Sequence, residues 1–236
     1  MTAEPPLDRT GDAPPGPPVE FLDRLGTADR AAFLAQAQVR PMAQGEVLFE
    51  EGQPADQVLV VERGMVKIWM AASSGRVVIL NVLDAGAVVG ELSAVDGGPR
   101  SAGATALADG SLLAVPAAAF EALLAARPTI ALELLRTVAG RLRGASRRQL
   151  EFSAGDTLGR LCGALVELGR RYGEVDADGV RQVVLPLGQG ELGSWGGLSR
   201  EAVVKGLRSL RTLGWIEGEG RHVRLLDPGA LEERSR

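Results

Sequence analysis

Between Met42 and Val115 the chain is cut by glycine into short apolar runs, and this punctuation constrains its fold more than any other feature. The runs include Glu46-Val47-Leu48-Phe49, Val58-Leu59-Val60-Val61, Met65-Val66-Lys67-Ile68-Trp69 and Val77-Val78-Ile79-Leu80-Asn81-Val82-Leu83, separated at Gly45, Gly52, Gly64, Gly75, Gly86 and Gly90. Each run is too short for a helix with a buried stripe and rich in β-branched residues, so each reads as a strand. Many short strands joined by turn signals predict an antiparallel sandwich or jelly roll. The flanks have a different alphabet. Phe21, Leu22, Leu25, Ala28, Ala32 and Phe33 recur at helical spacing before it, and Ala, Leu and Arg dominate after Pro116. The fold class expected is α+β.

One segment of the β region carries chemistry. Gly90-Glu91-Leu92-Ser93-Ala94-Val95-Asp96-Gly97-Gly98-Pro99-Arg100-Ser101-Ala102 holds a carboxylate, a guanidinium and hydroxyls around a turn-forming Asp-Gly-Gly-Pro. Folding back at that turn lets Glu91 and Arg100 converge on one concavity. A carboxylate suits a ribose hydroxyl, and an arginine fork suits a phosphate bidentately. Backbone N–H groups of such a turn add an anion nest. The competing reading is a surface hairpin with an ordinary ion pair.

Gly-Glu-Leu, a short loop and Pro-Arg-Ser-Ala resemble the phosphate-binding cassette of cyclic-nucleotide-binding domains. The resemblance extends over the β region through Gly45-Glu46-Val47-Leu48-Phe49-Glu50-Glu51-Gly52, Val60 and Gly64-Met65-Val66. It implies that Glu91 takes the ribose 2′-hydroxyl and Arg100 the cyclic phosphate. The amides of Gly90 and Leu92 and the hydroxyl of Ser101 would complete the pocket.

Composition narrows the alternatives. With 236 residues, 45% of them hydrophobic and 24% charged, the chain can build two modest cores. The single cysteine, Cys162, reads as a small core hydrophobe, and the single histidine, His222, lies near the C-terminus. The β region therefore lacks His and Cys ligands, and no metal, haem or iron–sulfur cluster is expected. No signal-like leader and no membrane-length apolar run is visible, which predicts a cytoplasmic protein without a membrane partner. Residues 1–18 are proline-rich and are expected to be disordered.

Beyond Pro116 a short helix is expected from about Ala117 to Ala126, ending before Pro128. A long helix should follow from about Thr129 to Phe152. On it, Ala131, Leu135, Val138, Leu142, Ala145, Gln149 and Phe152 keep alternating four- and three-residue spacing, as in a coiled-coil seam. Arg136, Arg141, Arg143, Arg147 and Arg148 occupy its other faces. From pattern alone the seam could pack on the chain's own β domain or on a second copy. Ser153-Ala154-Gly155-Asp156 then reads as a hinge and a helix start, with Ser153 or Asp156 as cap.

Residues 188–193 fit G-x-G-x-x-G, the fingerprint of a dinucleotide-binding enzyme. The acidic strand terminus required about twenty residues later is missing, since Arg208-Ser209-Leu210-Arg211 is helical in pattern. A helix-turn-helix uses more of the residues. Glu191-Leu192-Gly193 lies on a first helix, Gly196-Gly197-Leu198 forms the turn, and Ser199 caps a second helix held by Val203, Val204, Leu207 and Leu210. Its outer N-terminal part carries Arg200, Glu201 and Lys205, suited to guanine and cytosine edges in the major groove of double-stranded DNA. The net charge of −4 hides a local basic surface, because Arg200, Lys205, Arg208 and Arg211 oppose only Glu201 between Ser199 and Arg211. Trp215-Ile216-Glu217 and His222-Val223-Arg224-Leu225-Leu226 form a hairpin wing.

Leu198-Ser199-Arg200-Glu201-Ala202-Val203 also resembles the recognition-helix start of the cyclic AMP receptor protein/fumarate–nitrate regulator family, nearest its cyclic AMP receptor branch. The resemblance implies a cyclic-nucleotide-binding jelly-roll domain (residues 19–128), a dimerisation helix (129–153) and a winged helix-turn-helix domain (154–236). Ser199, Arg200, Glu201 and Lys205 would contact DNA, and Ser146 would reach the base across a homodimer. Ala145 stands where the family places a second hydroxyl, so adenine contact is reduced. The implied protein is a cyclic AMP-responsive regulator, not an enzyme, that binds palindromic DNA with recognition helices roughly 34 Å apart and meets RNA polymerase. A member with another effector, or none, is the alternative.

Overall fold

The computed structural model describes residues 20–73 and 75–235, with the backbone alone for 151–154; the proline-rich segment 1–18 lies outside the described residues. Helices α1 (Phe21–Arg24) and α2 (Thr27–Leu34) precede β1 (Gln38–Met42), β2 (Val47–Phe49), β3 (Gln57–Arg63), β4 (Val66–Ala71), β5 (Val77–Leu83) and β6 (Val88–Val89). Then come α3 (Glu91–Asp96), β7 (Gly103–Ala106), β8 (Gly110–Pro116), α4 (Ala117–Ala126) and α5 (Pro128–Ala154). The C-terminal module contains α6 (Thr157–Tyr172), β9 (Glu174–Val175), β10 (Arg181–Val184), α7 (Gln189–Gly196), α8 (Arg200–Thr212), β11 (Ile216–Glu217), β12 (His222–Leu225) and α9 (Pro228–Arg234).

The N-terminal half is the expected antiparallel roll. Its sheets run β1-β8-β3-β6 and β2-β7-β4-β5. Phe49, Leu59, Val61, Val66, Leu83, Val89, Ala104 and Leu112 fill the space between them. The alternate residues of β3, Val58 and Val60, face a second core with Phe21, Phe33, Phe120 and Ile130 from α1, α2, α4 and α5. Both faces of β3 are thus covered, which is why its sequence is a continuous apolar run rather than an alternating one. Phe33 packs edge-on against Phe21 and Phe120, with centroid separations of 5.8 and 6.4 Å.

Helix α5 starts with Pro128 in its first turn, where the missing N–H costs nothing. It is two-sided. Ile130 and Leu134 are buried in the second core, whereas Leu135 and Leu142 of the seam are 63% and 66% exposed. Asp156, not Ser153, caps α6: its Oδ1 accepts from the Gly159 amide at 2.8 Å. In the C-terminal sheet, ordered β11-β12-β10-β9, the hairpin β11–β12 is the expected wing.

Candidate nucleotide pocket and nucleic-acid interface

A cavity of about 420 Å³ opens between β4–β5, the segments 90–93 and 100–102, and the α5 face carrying Val138, Arg141, Leu142, Ala145 and Arg148. Of the residues singled out from sequence for this pocket, Gly90, Glu91, Leu92, Arg100 and Ser101 all line it. Ser146 does not. Its hydroxyl donates to the Leu142 carbonyl of its own helix at 3.0 Å.

The two charged poles are buried to an unusual degree for ionic side chains, with Glu91 4% and Arg100 3% exposed. Gly90 makes their approach possible. Its φ of +76° is left-handed, and a Cβ there would fall 2.3 Å from Arg100 Nη1. The Arg100 backbone is pinned on both sides: its N–H donates to the Gln53 carbonyl at 2.8 Å, and its carbonyl accepts from Gly52 at 2.8 Å. Its guanidinium donates to the Gly90 carbonyl (3.0 Å) and the Gln57 carbonyl (2.7 Å), and lies 4.2 Å from the Phe49 ring centroid. Burial lowers the Arg100 pKa, opposed by the nearby charges of Asp56 and Glu91. Arg100 Nε is buried without a hydrogen-bond partner among the described residues. Arg100 lines the cavity, so its cationic group stands beside any anion held there.

Glu91 has a partner that the sequence reading assigned to other faces of the helix. Arg141 Nη1 donates to Glu91 Oε1 at 2.9 Å, and its Nη2 donates to the Val88 carbonyl at 2.7 Å. The signal was present: Arg141 stands three residues after Val138 and four before Ala145, on the same helical face. The turn Asp96–Pro99 is held by Ser93 Oγ donating to the Pro99 carbonyl and by the Gly98 amide donating to Asp96 Oδ1, both at 2.9 Å. Away from these poles the walls are largely aliphatic, from Ile68, Met70, Leu80 and Leu142. The arrangement can hold an anion beside a hydroxyl donor and an apolar ring. Among the described residues, no group of three or more His, Cys, Asp or Glu is disposed to hold a metal ion.

The second site is on the C-terminal module. Helix α7 ends at Gly197, whose φ of +64° makes the turn, and α8 begins at Ser199, whose hydroxyl accepts from the Ala202 amide at 3.1 Å. Val203, Leu207 and Leu210 are buried, and Gly206 lets α8 approach α6, since a Cβ there would meet Leu161 Cδ2 at 2.5 Å. Arg200, Glu201 and Lys205 are exposed together on the outer face. Val204, expected to hold the helix to the core, instead lies on that outer face at 39% exposure. Its position one turn after Arg200 explains this, because α8 buries a stripe narrower than the apolar spacing suggested. Hydrogen bonds from its own backbone N–H and the Ser199 hydroxyl, then the Arg200 charge, hold the Glu201 carboxyl below the usual range. The G-x-G-x-x-G match falls on α7: Gly188 is its N-cap, and Glu191 returns to accept from the Gly188 amide at 3.0 Å.

A roll with a buried Glu–Arg pocket, a long helix and a winged helix-turn-helix define a class of DNA-binding proteins. The cyclic nucleotide-binding domain family matches residues 39–127, and the Crp-like helix-turn-helix domain family matches residues 159–234. The chain is 34% identical over 206 residues to a CRP-like cAMP-activated global transcriptional regulator of Mycobacterium tuberculosis, spanning 87% of this chain and 92% of that one. It is 31% identical to the cyclic AMP receptor protein of Thermus thermophilus over 85% of this chain and 86% of that one. Among solved structures, FixK2 from Bradyrhizobium japonicum superimposes with a TM-score of 0.75 at 26% identity, covering 85% of this chain and 98% of that one. The protein belongs to the cyclic AMP receptor protein/fumarate–nitrate regulator family of DNA-binding transcriptional regulators, a family of regulators and not of enzymes. Among the described residues, no helix is long and apolar enough to cross a membrane.

Proposed function

We propose that the protein is a homodimeric, cyclic AMP-responsive transcriptional regulator of palindromic promoter sites. The observation that carries this reading is the pair of buried opposite charges, Glu91 and Arg100, on one cavity that also has aliphatic walls from Ile68, Met70, Leu80 and Leu142. In this reading Arg100 takes the cyclic phosphate and Glu91 the ribose 2′-hydroxyl, both from the wall of the cavity. Gly90, Leu92 and Ser101 close the phosphate end. The relatives from M. tuberculosis and T. thermophilus are named for cyclic AMP, which supports the choice of nucleotide.

The homodimer rests on the exposed seam of α5. Leu135 and Leu142 belong to the apolar stripe that borders the cavity, and a second copy of α5 would cover them. Residues 19–128 act as the effector domain, 129–153 as the dimerisation helix and 154–236 as the DNA-binding domain. Ser199, Arg200, Glu201 and Lys205 meet the DNA, with the recognition helices of the dimer about one turn of duplex apart. The reading also makes RNA polymerase a partner.

One observation favours a second effector. With Ala145 in the wall and the Ser146 hydroxyl turned to the Leu142 carbonyl, neither residue offers this chain's own pocket a group for the adenine amine. Calorimetry with cyclic AMP and cyclic GMP, followed by a DNA-shift assay with and without each, decides between them. Cyclic AMP binding that leaves DNA affinity unchanged, or no binding, overturns the first reading.

A further inference from the structure

Strand β5 belongs to two surfaces at once. Leu80, Asn81 and Leu83 line the cavity, whereas Ile79 and Val82 are buried in the core of the C-terminal module with Trp195, Leu192 and Leu187. Strict alternation would put Ile79 and Asn81 on one face and Val82 on the other. The pairing with β4 breaks it: Ile68 opposes Asn81 and Trp69 opposes Ile79, leaving Leu80 as an extra residue. That bulge turns Ile79 and Val82 to the same side, so the outer face of the sheet becomes a seat for α7.

Polar links fasten the seat. Lys67, on β4, places Nζ 2.5 Å from Glu191 Oε1 on the first turn of α7, with side chains 21% and 34% exposed. Arg148, on the cavity wall, donates to the Leu80 carbonyl at 2.8 Å and lies 4.9 Å from the Trp195 ring centroid on α7. At the far end of α6, Arg171 donates to Asp84 Oδ2 at 2.9 Å, and the Tyr172 hydroxyl donates to the same oxygen at 3.2 Å. Of these, the Lys67 link has the most direct reach to the DNA-binding face. Glu191 also receives the Gly188 amide, and the adjoining Gln189 and Gly190 share a surface recess with Arg200 and Arg221.

We propose that Lys67 is a positioning residue of the DNA-binding module, which, through Glu191, fixes the first helix of the helix-turn-helix to the strand pair walling the effector pocket. Any change in β4–β5 on filling the pocket is then felt at α7, and the coupling free energy between effector and DNA runs through this contact. The coupling rests on the function proposed above; the positioning does not.

The test uses the full chain and Lys67→Ala, Lys67→Arg, Glu191→Gln and the Lys67→Ala/Glu191→Gln double variant. Glutamine at 191 keeps an acceptor for the Gly188 amide. Hydrogen exchange should quicken roughly three- to tenfold in residues 189–196 of Lys67→Ala, the scale expected for losing a partly exposed ion pair. Exchange in α4 should not change, Lys67→Arg should restore protection, and the double variant should add nothing to the single ones. With cyclic AMP as probe, Lys67→Ala should keep the wild-type nucleotide Kd while the ratio of DNA affinities with and without nucleotide moves toward one. Unchanged exchange at 189–196, or an equal rise in α4, overturns the positioning role. Failure of the wild-type chain to bind cyclic AMP overturns the proposed function instead, and the exchange comparison still decides Lys67.

Discussion

The Arg141 guanidinium reaches from the middle of α5 to the Glu91 carboxylate at 2.9 Å, tying the seam helix to the Glu91 end of the pocket. The Glu91 side chain is only 5% exposed, and Arg141 is the cation paired with it directly. Arg141→Ala should therefore cost about 3 kcal/mol of stability, the scale for leaving a buried charge unpaired. Thermal unfolding measures it. Arg141→Ala paired with Glu91→Gln should recover part of the loss, since the orphaned charge is then gone. Equal losses in the single and double variants would contradict the pairing.

Gly90 tests the Arg100 end of the pocket. Alanine there combines a left-handed φ of +76° with a Cβ 2.3 Å from Arg100 Nη1, so the guanidinium must give up its bond to the Gly90 carbonyl. Gly90→Ala should lower stability by roughly 1–3 kcal/mol and weaken cyclic nucleotide binding at least tenfold. Calorimetry and a melting curve read the two effects separately. Full nucleotide affinity in the variant would remove Arg100 from the phosphate site.

Much of this pocket was legible because its chemistry is contiguous in sequence. Glycine punctuation marked the strands, and Glu91 and Arg100 sit in one loop. Short elements were harder. The segment Glu91–Asp96 forms α3 just before the expected Asp96–Pro99 turn, and a six-residue helix has no periodicity to show in sequence. Strand β1 contains Pro41 and was missed; it survives as an edge, paired with β8 alone. Arg141 shared a helical face with Val138 and Ala145, yet its long-range partner lay fifty positions away. The seating of α7 on β5 was invisible because it depends on a bulge at Leu80, which no run of residue types announces.

The exposed seam should set the oligomeric state. Leu142 is 66% exposed in the single chain and stands on the stripe that a second α5 would cover. Leu142→Glu would put a charge into that apolar contact, raising the dimer dissociation constant about 100-fold or more. Sedimentation across a concentration series measures it. A wild-type chain that stays monomeric would overturn the homodimer, and an unperturbed dimer in the variant would move the interface elsewhere.

Acid should loosen the seat of α7. Burial pushes the Glu191 carboxyl up, but the Lys67 hydrogen bond and the Gly188 amide outweigh it, and the net pKa lies below the ordinary 4.5. A depressed carboxyl contributes stability above its unfolded pKa and loses it as pH falls through the folded value. The contribution of Glu191 is therefore complete at neutral pH and fades below about 4.5. Tryptophan fluorescence followed from pH 7 to 3, in a chain with Trp69 and Trp215 changed to phenylalanine so that Trp195 alone reports, should show a transition that is reduced in Glu191→Gln. Other carboxyls titrate in the same window, notably Asp156 and Asp176, so the difference between the two chains is the measurement.

The outer face of α8 makes a prediction whose two halves separate affinity from specificity. Arg200, Glu201 and Lys205 are exposed together, one turn apart, with Ser199 fixing the helix start. A lysine or arginine donates to guanine O6 and N7, and a glutamate accepts from cytosine N4. Removing a base-reading donor costs roughly 1–3 kcal/mol at its own base pair and little elsewhere. Lys205→Ala should thus bind a selected palindrome about 5- to 100-fold more weakly while losing its preference at one symmetric pair of positions. Glu201→Ala should relax preference at a neighbouring position, with a smaller loss of affinity, because it also removes a negative charge from the phosphate field. Selection of binding sites from a randomised duplex, carried out on the wild-type chain and both variants, reads all of this at once. A uniform fall across all sequences, with the salt slope reduced by about one, would reassign Lys205 to a phosphate contact.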